Sequence, residues 1–118
     1  MANAPIVILP KYSMTADKDI AVDLMENNEY PEFFAVGICW RLATGTVNGT
    51  VKIYGTNYAH DDNDYVLLGT CDINAANNEL NKYQLVVTQY PFRNLLIKFA
   101  KNGITGGDLY IDLYKKDL

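Results

Sequence analysis

Residues 45–69 constrain the fold more than any other part of the chain. They contain two runs of alternating apolar residues, Val51/Ile53 and Tyr65/Leu67, which are joined by a polar loop rich in Asp and Asn. Alternation with a period of two is typical of a β-strand that is buried on one face. The segment therefore predicts a strand, a loop and a strand, with no room between them for a helix.

The same pattern recurs along most of the 118 residues, and no stretch shows a helical period of useful length. We expect strands at residues 6–9, 20–24, 33–42, 49–54, 65–73, 83–88, 93–100 and 108–114. Seven or eight short strands separated by turns predict an all-β fold. The specific prediction is a single domain over residues 1–118, an antiparallel β-sandwich of jelly-roll-like form, with residues 1–11 as an N-terminal arm.

The strand at residues 33–42 is predicted to be covered on both faces. One face is expected to carry Phe34, Val36, Ile38, Trp40 and Leu42, and the other Phe33, Ala35, Gly37, Cys39 and Arg41. Both sets are largely apolar, so the strand should pack on a second sheet and on something else. A loop or arm of the same chain and a partner protein both remain open as that second cover.

Three later strands are predicted to have one inward face each. The inward residues are expected to be Tyr65, Leu67, Gly69, Cys71 and Ile73, then Leu95, Ile97 and Phe99, then Leu109, Ile111 and Leu113. The two cysteines, Cys39 and Cys71, lie in predicted strands. We expect free buried thiols there rather than a disulfide, because cysteine is commonly buried as a small hydrophobic residue.

The charge balance argues against nucleic acid and membranes as partners. There are 14 acidic and 10 basic residues, a net charge of -4, and the basic residues are scattered. Binding to a phosphate backbone needs clustered Lys and Arg. Pro5 and Pro10 enclose an apolar run that is far too short to span a membrane. Because the start of the chain does not resemble a signal peptide, we expect synthesis in the cytoplasm.

Candidate catalytic and metal-binding residues are scarce. The acidic loop at residues 60–64 suggests calcium, but its order does not fit a known calcium loop, and a solvated turn is the simpler interpretation. His60 is the only histidine and Ser13 the only serine, so a nucleophile with a neighbouring base is not evident. Gly103 and Gly107 bound a predicted turn without the Lys of a phosphate loop. We predict no catalytic site, no metal and no cofactor, and hence no enzyme.

Tyrosine is unusually frequent, with 9 residues against 4 Phe and 1 Trp. Exposed Tyr is enriched at protein interfaces. Tyr110 and Tyr114 are predicted to share the outer face of the last strand, while the apolar run near the N-terminus suits an edge strand or an arm. The predicted interface residues are Ile6, Val7, Ile8, Leu9, Phe33, Tyr110 and Tyr114.

Four segments carry a family resemblance. Residues 49–57 read GTVKIYGTN, 64–69 read DYVLLG, 90–99 read YPFRNLLIKF and 106–111 read GGDLYI. In this order they resemble the strands and turns of small β-sandwich structural modules of tailed-phage virions. The resemblance implies a non-enzymatic virion component, such as a capsid decoration or auxiliary protein, or a subunit of a head or tail appendage. It implies phage capsid or tail proteins as partners, and a second copy of the chain is a further candidate.

Discoidin-like carbohydrate-binding modules share similar turns and supply the alternative. In that case the ligand would be held at the loop tips by Tyr58, His60, Asp61, Asp62 and Asn63. The two functions differ in one observable feature. Sugar binding needs a concave site, expected at the loop end, whereas lattice binding needs an extended apolar patch on a face or edge.

Overall fold

The structure is a computed structural model, which describes residues 6–24, 33–56, 65–76, 78–88 and 94–116. For Phe33, Thr88 and Lys116 it describes the backbone. Within those ranges no helix has the length and apolar character needed to cross a membrane.

Eight strands make up the fold. They are β1 (Ile6–Ser13), β2 (Lys18–Asp23), β3 (Phe33–Gly45), β4 (Gly49–Thr56), β5 (Val66–Ile73), β6 (Asn81–Thr88), β7 (Asn94–Ala100) and β8 (Ile104–Lys116). The first sheet has the order β1-β8-β3-β6, the second has the order β2-β7-β4-β5, and every neighbouring pair is antiparallel. Two four-stranded sheets in this order form a jelly roll. The predicted all-β sandwich is confirmed.

The core lies between the sheets and is built from alternate residues of the inner strands. Val36, Ile38 and Ile111 of the first sheet are at most 1% exposed, and Ile53 and Ile97 of the second are 0% exposed. The predicted inward sets of β7 and β8 are confirmed, since Leu95, Ile97, Phe99, Leu109, Ile111 and Leu113 are all buried.

A β-bulge near the end of β3 changes which residues face inward. The register against β8 shifts between Arg41 and Thr44. Leu42 takes a left-handed conformation with φ of 58° and is 49% exposed, while Ala43 is fully buried. The prediction that Leu42 continues the inward face is therefore wrong, because the extra residue of the bulge reverses the alternation.

Gly107 on β8 makes this bulge sterically feasible. Its φ is 122°, and a Cβ atom there would lie 2.8 Å from Ala43 Cα and 2.9 Å from the Leu42 carbonyl oxygen. Only glycine tolerates both the conformation and the close approach.

A second register shift lies between Ile53 and Tyr54, where β4 pairs with β5. On the far side of it Leu67 is 50% exposed and Tyr65 is half-buried, whereas Cys71 and Ile73 on the near side are buried. The predicted inward face of β5 is thus correct for its second half and wrong for its first.

The glycine-rich connection before the last strand is shorter than predicted. β8 already begins at Ile104, because β3 extends to Gly45 and pairs with it. The turn is closed by the Ile104 N–H, which donates to the Lys101 carbonyl oxygen at 2.7 Å. Of the predicted turn at residues 103–107, only the first residue lies outside a strand.

Candidate functional site

The outer face of the first sheet has small side chains at its centre. Gly37 and Cys39 point outward from β3 and are half-exposed. In register, Gly37 faces Asp112 of β8, and Cys39 faces Tyr110. On the other side of β3 the facing residues are Gln84 and Lys82 of β6. Long side chains thus surround the small residues Gly37 and Cys39, which form the floor of a depression.

Two adjoining hollows open over this floor. One, of about 510 Å³, lies over Gly37 and is lined by Lys82 and Gln84 of β6. The other, of about 560 Å³, reaches past Tyr110 and Arg41 to Pro10 and Lys11 of β1. Both hollows include Cys39 and Asp112, so they form one depression that crosses all four strands. We call it the cross-strand cleft; its lining residues that reach solvent are Val7, Pro10, Lys11, Gly37, Cys39, Arg41, Leu80, Lys82, Tyr83, Gln84, Tyr110 and Asp112.

The two sides of the cleft differ in chemistry. On one side lies Ala35, which faces Val86 and Tyr114 in register and is only 6% exposed. On the other side Arg41 lies 3.5 Å from the carboxylate of Asp108, at an exposed ion pair. The cleft is therefore bounded by an apolar row and by a charge-neutral pair.

Gly37 has no steric role in the fold. A Cβ atom at this position would have no heavy atom within 4 Å, and its φ lies outside the left-handed region. Glycine in the interior of a strand costs about 0.5–1 kcal/mol relative to Ala. Here its effect is to keep the cleft open.

The edge strand β1 carries two exposed apolar side chains next to an exposed tyrosine. Ile6 is 44% exposed and Val7 is 60% exposed, and Tyr114 of the neighbouring strand is 40% exposed. We call these three residues the β1 edge patch. Further along β1, two register shifts and Pro10 interrupt the pairing pattern.

The outer face of the second sheet is filled by its own side chains. Lys52 of β4 faces Lys98 of β7, and Tyr54 faces Leu96. The rings of Tyr54 and Tyr65 meet edge to face, with centroids 6.5 Å apart. The hollow left beside these residues is about 240 Å³, roughly half of either hollow on the first face.

The two cysteines are free and lie in different environments. Cys71 is 3% exposed on the inner side of the second sheet, as expected. Burial, together with the nearby Asp72 carboxylate, raises the pKa of the Cys71 thiol to about 12. Cys39 is half-exposed in the cleft, so the expectation of a buried thiol is wrong for this residue. It points outward because it occupies an odd position of β3, opposite to Ile38 and Trp40.

The predicted interface residues are dispersed. Ile6, Val7 and Tyr114 form the β1 edge patch and Tyr110 lines the cleft, while Leu9 is 6% exposed and packs in the core. Ile8 is half-buried against the core. The side chain of Phe33 and the loop-tip set of Tyr58, His60, Asp61, Asp62 and Asn63 lie outside the described residues.

Among the described side chains, no three of His, Cys, Asp and Glu gather closely enough to hold a metal ion. Four residues of the cleft are not among the site residues predicted from the sequence: Gly37, Lys82, Gln84 and Asp112. The available signal was the alternation of small residues at Ala35, Gly37 and Cys39 on the second face of β3. This pattern does not show which strands lie beside β3, because that depends on pairing between distant parts of the chain.

No protein-family model matches the chain, and no curated protein matches its sequence. Among solved structures, the chain is similar to one described as "CBM4 structure and function", a carbohydrate-binding module, with 13% identity and a TM-score of 0.50 over 85% of this chain. It is also similar to the enzymatically active domain of tailspike protein 4 of bacteriophage CBA120, with 17% identity and a TM-score of 0.47 over 86% of this chain. The chain spans 61% of the first structure and 14% of the second. At 13% identity the likeness to the first structure establishes the β-sandwich fold alone.

Proposed function

We propose that this protein is a non-enzymatic structural component of a phage virion, which docks on a capsid or tail protein through the β1 edge patch. The observation that carries the proposal is that exposed Val7 and Tyr114 lie on the outer side of one sheet edge, with exposed Ile6 beside them. Exposed apolar edges promote unwanted pairing and are normally protected. An apolar patch that is left open marks an interaction surface.

The rest of β1 limits how a partner can approach. Pro10 lacks a backbone N–H, and the register shifts that follow Val7 and Leu9 twist the edge. Only the first part of the strand is left for a partner, which favours a local contact over open-ended strand addition. A weak contact of this size gains strength when it is repeated over a lattice.

The finer assignment is a capsid decoration or auxiliary protein, with a head or tail appendage subunit as the other form. In either case the protein is made in the host cytoplasm and resides in the virion. The resemblance of its strand and turn segments to virion modules supports this assignment.

An add-back experiment tests the proposal. Phage particles assembled without this chain are incubated with the purified protein and sedimented, and the bound fraction is measured against concentration. The double variant Ile6→Asp/Val7→Asp should bind at least about tenfold more weakly, because it places two charges in the apolar contact.

The matched control is Val66→Asp/Leu67→Asp. These residues are 51% and 50% exposed on β5, an edge strand of the second sheet. The control should bind within about twofold of the wild type. Absence of saturable binding by the wild-type protein, or equal losses in both variants, would contradict the proposal.

A carbohydrate-binding module is the second candidate function. It is favoured by the concave shape and mixed lining of the cross-strand cleft, where Gln84 and Asp112 lie near Tyr110 and Pro10. The cleft adjoins the β1 edge patch at Val7, so the two functions use neighbouring surfaces of one sheet.

A further inference from the structure

We infer that the cross-strand cleft binds a linear oligosaccharide across the first sheet. The site differs from the loop tips at residues 58–63 and adjoins the β1 edge patch at Val7. Three features support the inference: the saturated backbone of the floor, the mixed chemistry of the lining and the open shape.

The floor offers no backbone hydrogen bonds to a ligand. β3 is an interior strand, and Gly37 is in register with Gln84 on one side and with Asp112 on the other. The backbone N–H and C=O groups of the floor are therefore used in pairing with the neighbouring strands. A peptide gains affinity on a sheet mainly by adding a strand at an edge. An interior strand cannot pair with an added strand, so recognition in the cleft must come from side chains.

The polar side chains of the lining match hydroxyl groups. Asp112 accepts hydrogen bonds, Lys82 donates them, and Gln84 does both. A sugar hydroxyl donates one hydrogen bond and accepts others, so it can satisfy any of these partners. All three side chains are exposed and border the hollow over Gly37.

The apolar part of the lining matches the C–H faces of sugar rings. Tyr110 is half-buried in the second hollow, with Pro10 and Leu80 beside it. The negative π-face of a Tyr ring attracts C–H groups, which carry a small positive charge. A sugar ring bound here would contact the Tyr110 ring with one C–H face, which displaces water from that face. Its hydroxyl groups would point towards the polar side chains at the rim of the cleft.

The charges of the lining are mixed. Asp112 borders both hollows, while Lys82 borders the first and Lys11 the second. Arg41 is paired with Asp108 at 3.5 Å. Carboxylate and ammonium groups both form hydrogen bonds with hydroxyl groups, so this lining suits a ligand rich in hydroxyls.

The shape favours a chain over a single sugar. The depression crosses four strands, which corresponds to about 14 Å from β6 to β1 at the usual strand spacing. It is open towards solvent along this path, and the adjoining hollows of about 510 and 560 Å³ are each of ligand size.

Titration of the ¹⁵N-labelled full-length protein tests the inference. The probes are neutral hexasaccharides of β-1,4-linked glucose, β-1,4-linked mannose, β-1,4-linked xylose and α-1,4-linked glucose, each to about 10 mM, a range that detects millimolar affinity. At least one probe should shift the amide signals of Gly37, Cys39, Gln84 and Asp112 in a saturable way.

Two variants locate the site. Gly37→Leu fills the hollow without a clash, since no atom lies near its Cβ position. It should weaken binding at least about tenfold while the rest of the spectrum stays that of the folded protein. The matched control, Thr70→Leu, adds the same side chain at an exposed position of β5 in the second sheet and should leave the affinity within about twofold.

Two results would overturn the inference. They are the absence of any saturable shift with the four neutral probes and with hexagalacturonate, and equal binding by Gly37→Leu. A loss of particle binding in Gly37→Leu without any sugar response would assign the cleft to a virion protein instead. Because Val7 also lines the second hollow, sugar binding is judged from Gly37→Leu and particle binding from Ile6→Asp/Val7→Asp, so failure of one proposal leaves the other standing.

Discussion

The outer faces of the two sheets differ in the side chains that their central strands present to solvent. On the second sheet the facing pairs are Lys52 with Lys98 and Tyr54 with Leu96, so long side chains meet each other. On the first sheet Gly37 faces Asp112 and Cys39 faces Tyr110, so both of these central pairs join a small residue to a larger one. The first face consequently holds an open cleft, and the second is filled.

This difference shows which positions the fold leaves free. A jelly roll requires apolar residues at inward positions, and both sheets meet that requirement with nearly complete burial. Outward positions contribute less to stability, so the side chains found there are informative about binding. The exposed β1 edge and the cleft are both on the first sheet, which makes its outer side the functional side in our interpretation.

The largest effect should come from the chemical contrast between the two thiols. With a pKa of about 12, Cys71 in the folded protein has a thiolate fraction near 10⁻⁴ at pH 8. Its reaction with an aromatic disulfide should be at least about a thousandfold slower than in the unfolded chain, where the pKa is about 8.5.

The measurement is the time course of thiol labelling in native buffer. One thiol should react fast, and Cys39→Ala should remove that phase, whereas Cys71→Ala should retain it. Fast labelling of Cys71 in the native protein would show that the inner side of the second sheet is open, and would remove the contrast between core and cleft.

Two glycines of the first sheet should respond in opposite ways to an added methyl group. Gly107→Ala should lower the free energy of unfolding by about 2–4 kcal/mol, because φ is 122° and Ala43 Cα lies 2.8 Å from the new Cβ. Gly37→Ala should leave it unchanged or raise it by up to about 1 kcal/mol. Urea unfolding measures both; a large loss in Gly37→Ala would mean that this glycine has a structural role.

The buried thiol also predicts a dependence of stability on pH. Because the pKa of Cys71 is raised in the folded state, the protonated thiol favours folding, and its contribution is complete below about pH 8.5. As the pH rises from there towards 12, the unfolded chain loses its proton first. The wild type should then lose up to about 1.4 kcal/mol per pH unit relative to Cys71→Ala. Parallel curves for the two proteins would contradict the shift.

The smallest effect concerns the filled face. Lys52 and Lys98 are direct cross-strand neighbours, and like charges in this position repel. Lys52→Glu should raise the free energy of unfolding by about 0.2–1 kcal/mol, with Lys52→Ala intermediate between the two. In about 1 M salt the difference should largely vanish because the charges are screened. An equal gain at high salt would point to packing rather than charge.

The sequence predicted the architecture well because inward alternation is a local signal. Leu95, Ile97 and Phe99 reveal their common face without any knowledge of their neighbours. Alternation fails at bulges, since one extra residue reverses all positions beyond it. The predicted faces of Leu42 and Leu67 were wrong for that reason. Nothing in the sequence indicates that Leu42 adopts a left-handed conformation.

The candidate site was harder to predict, because its members come from four strands. Cys39 and Tyr110 are neighbours only through the pairing of β3 with β8, far apart in the chain. The apolar edge at Ile6 and Val7 was predictable, since a short apolar run beside a proline suits an edge strand. The cleft was not, because its defining feature is the absence of a side chain at Gly37.

Lysine acetylation of the protein, free and bound to phage particles, tests most directly whether the first sheet carries the binding surface. Lys11 of β1 lines the same hollow as Val7, whereas Lys52 and Lys98 lie on the outer face of the second sheet, and all three lysines are exposed. Docking through the β1 edge should slow acetylation of Lys11 by at least about fivefold and leave the other two unchanged, because an interface excludes solvent and reagent. Protection of Lys52 and Lys98 with Lys11 still reactive would contradict the assignment and place the contact on the second sheet.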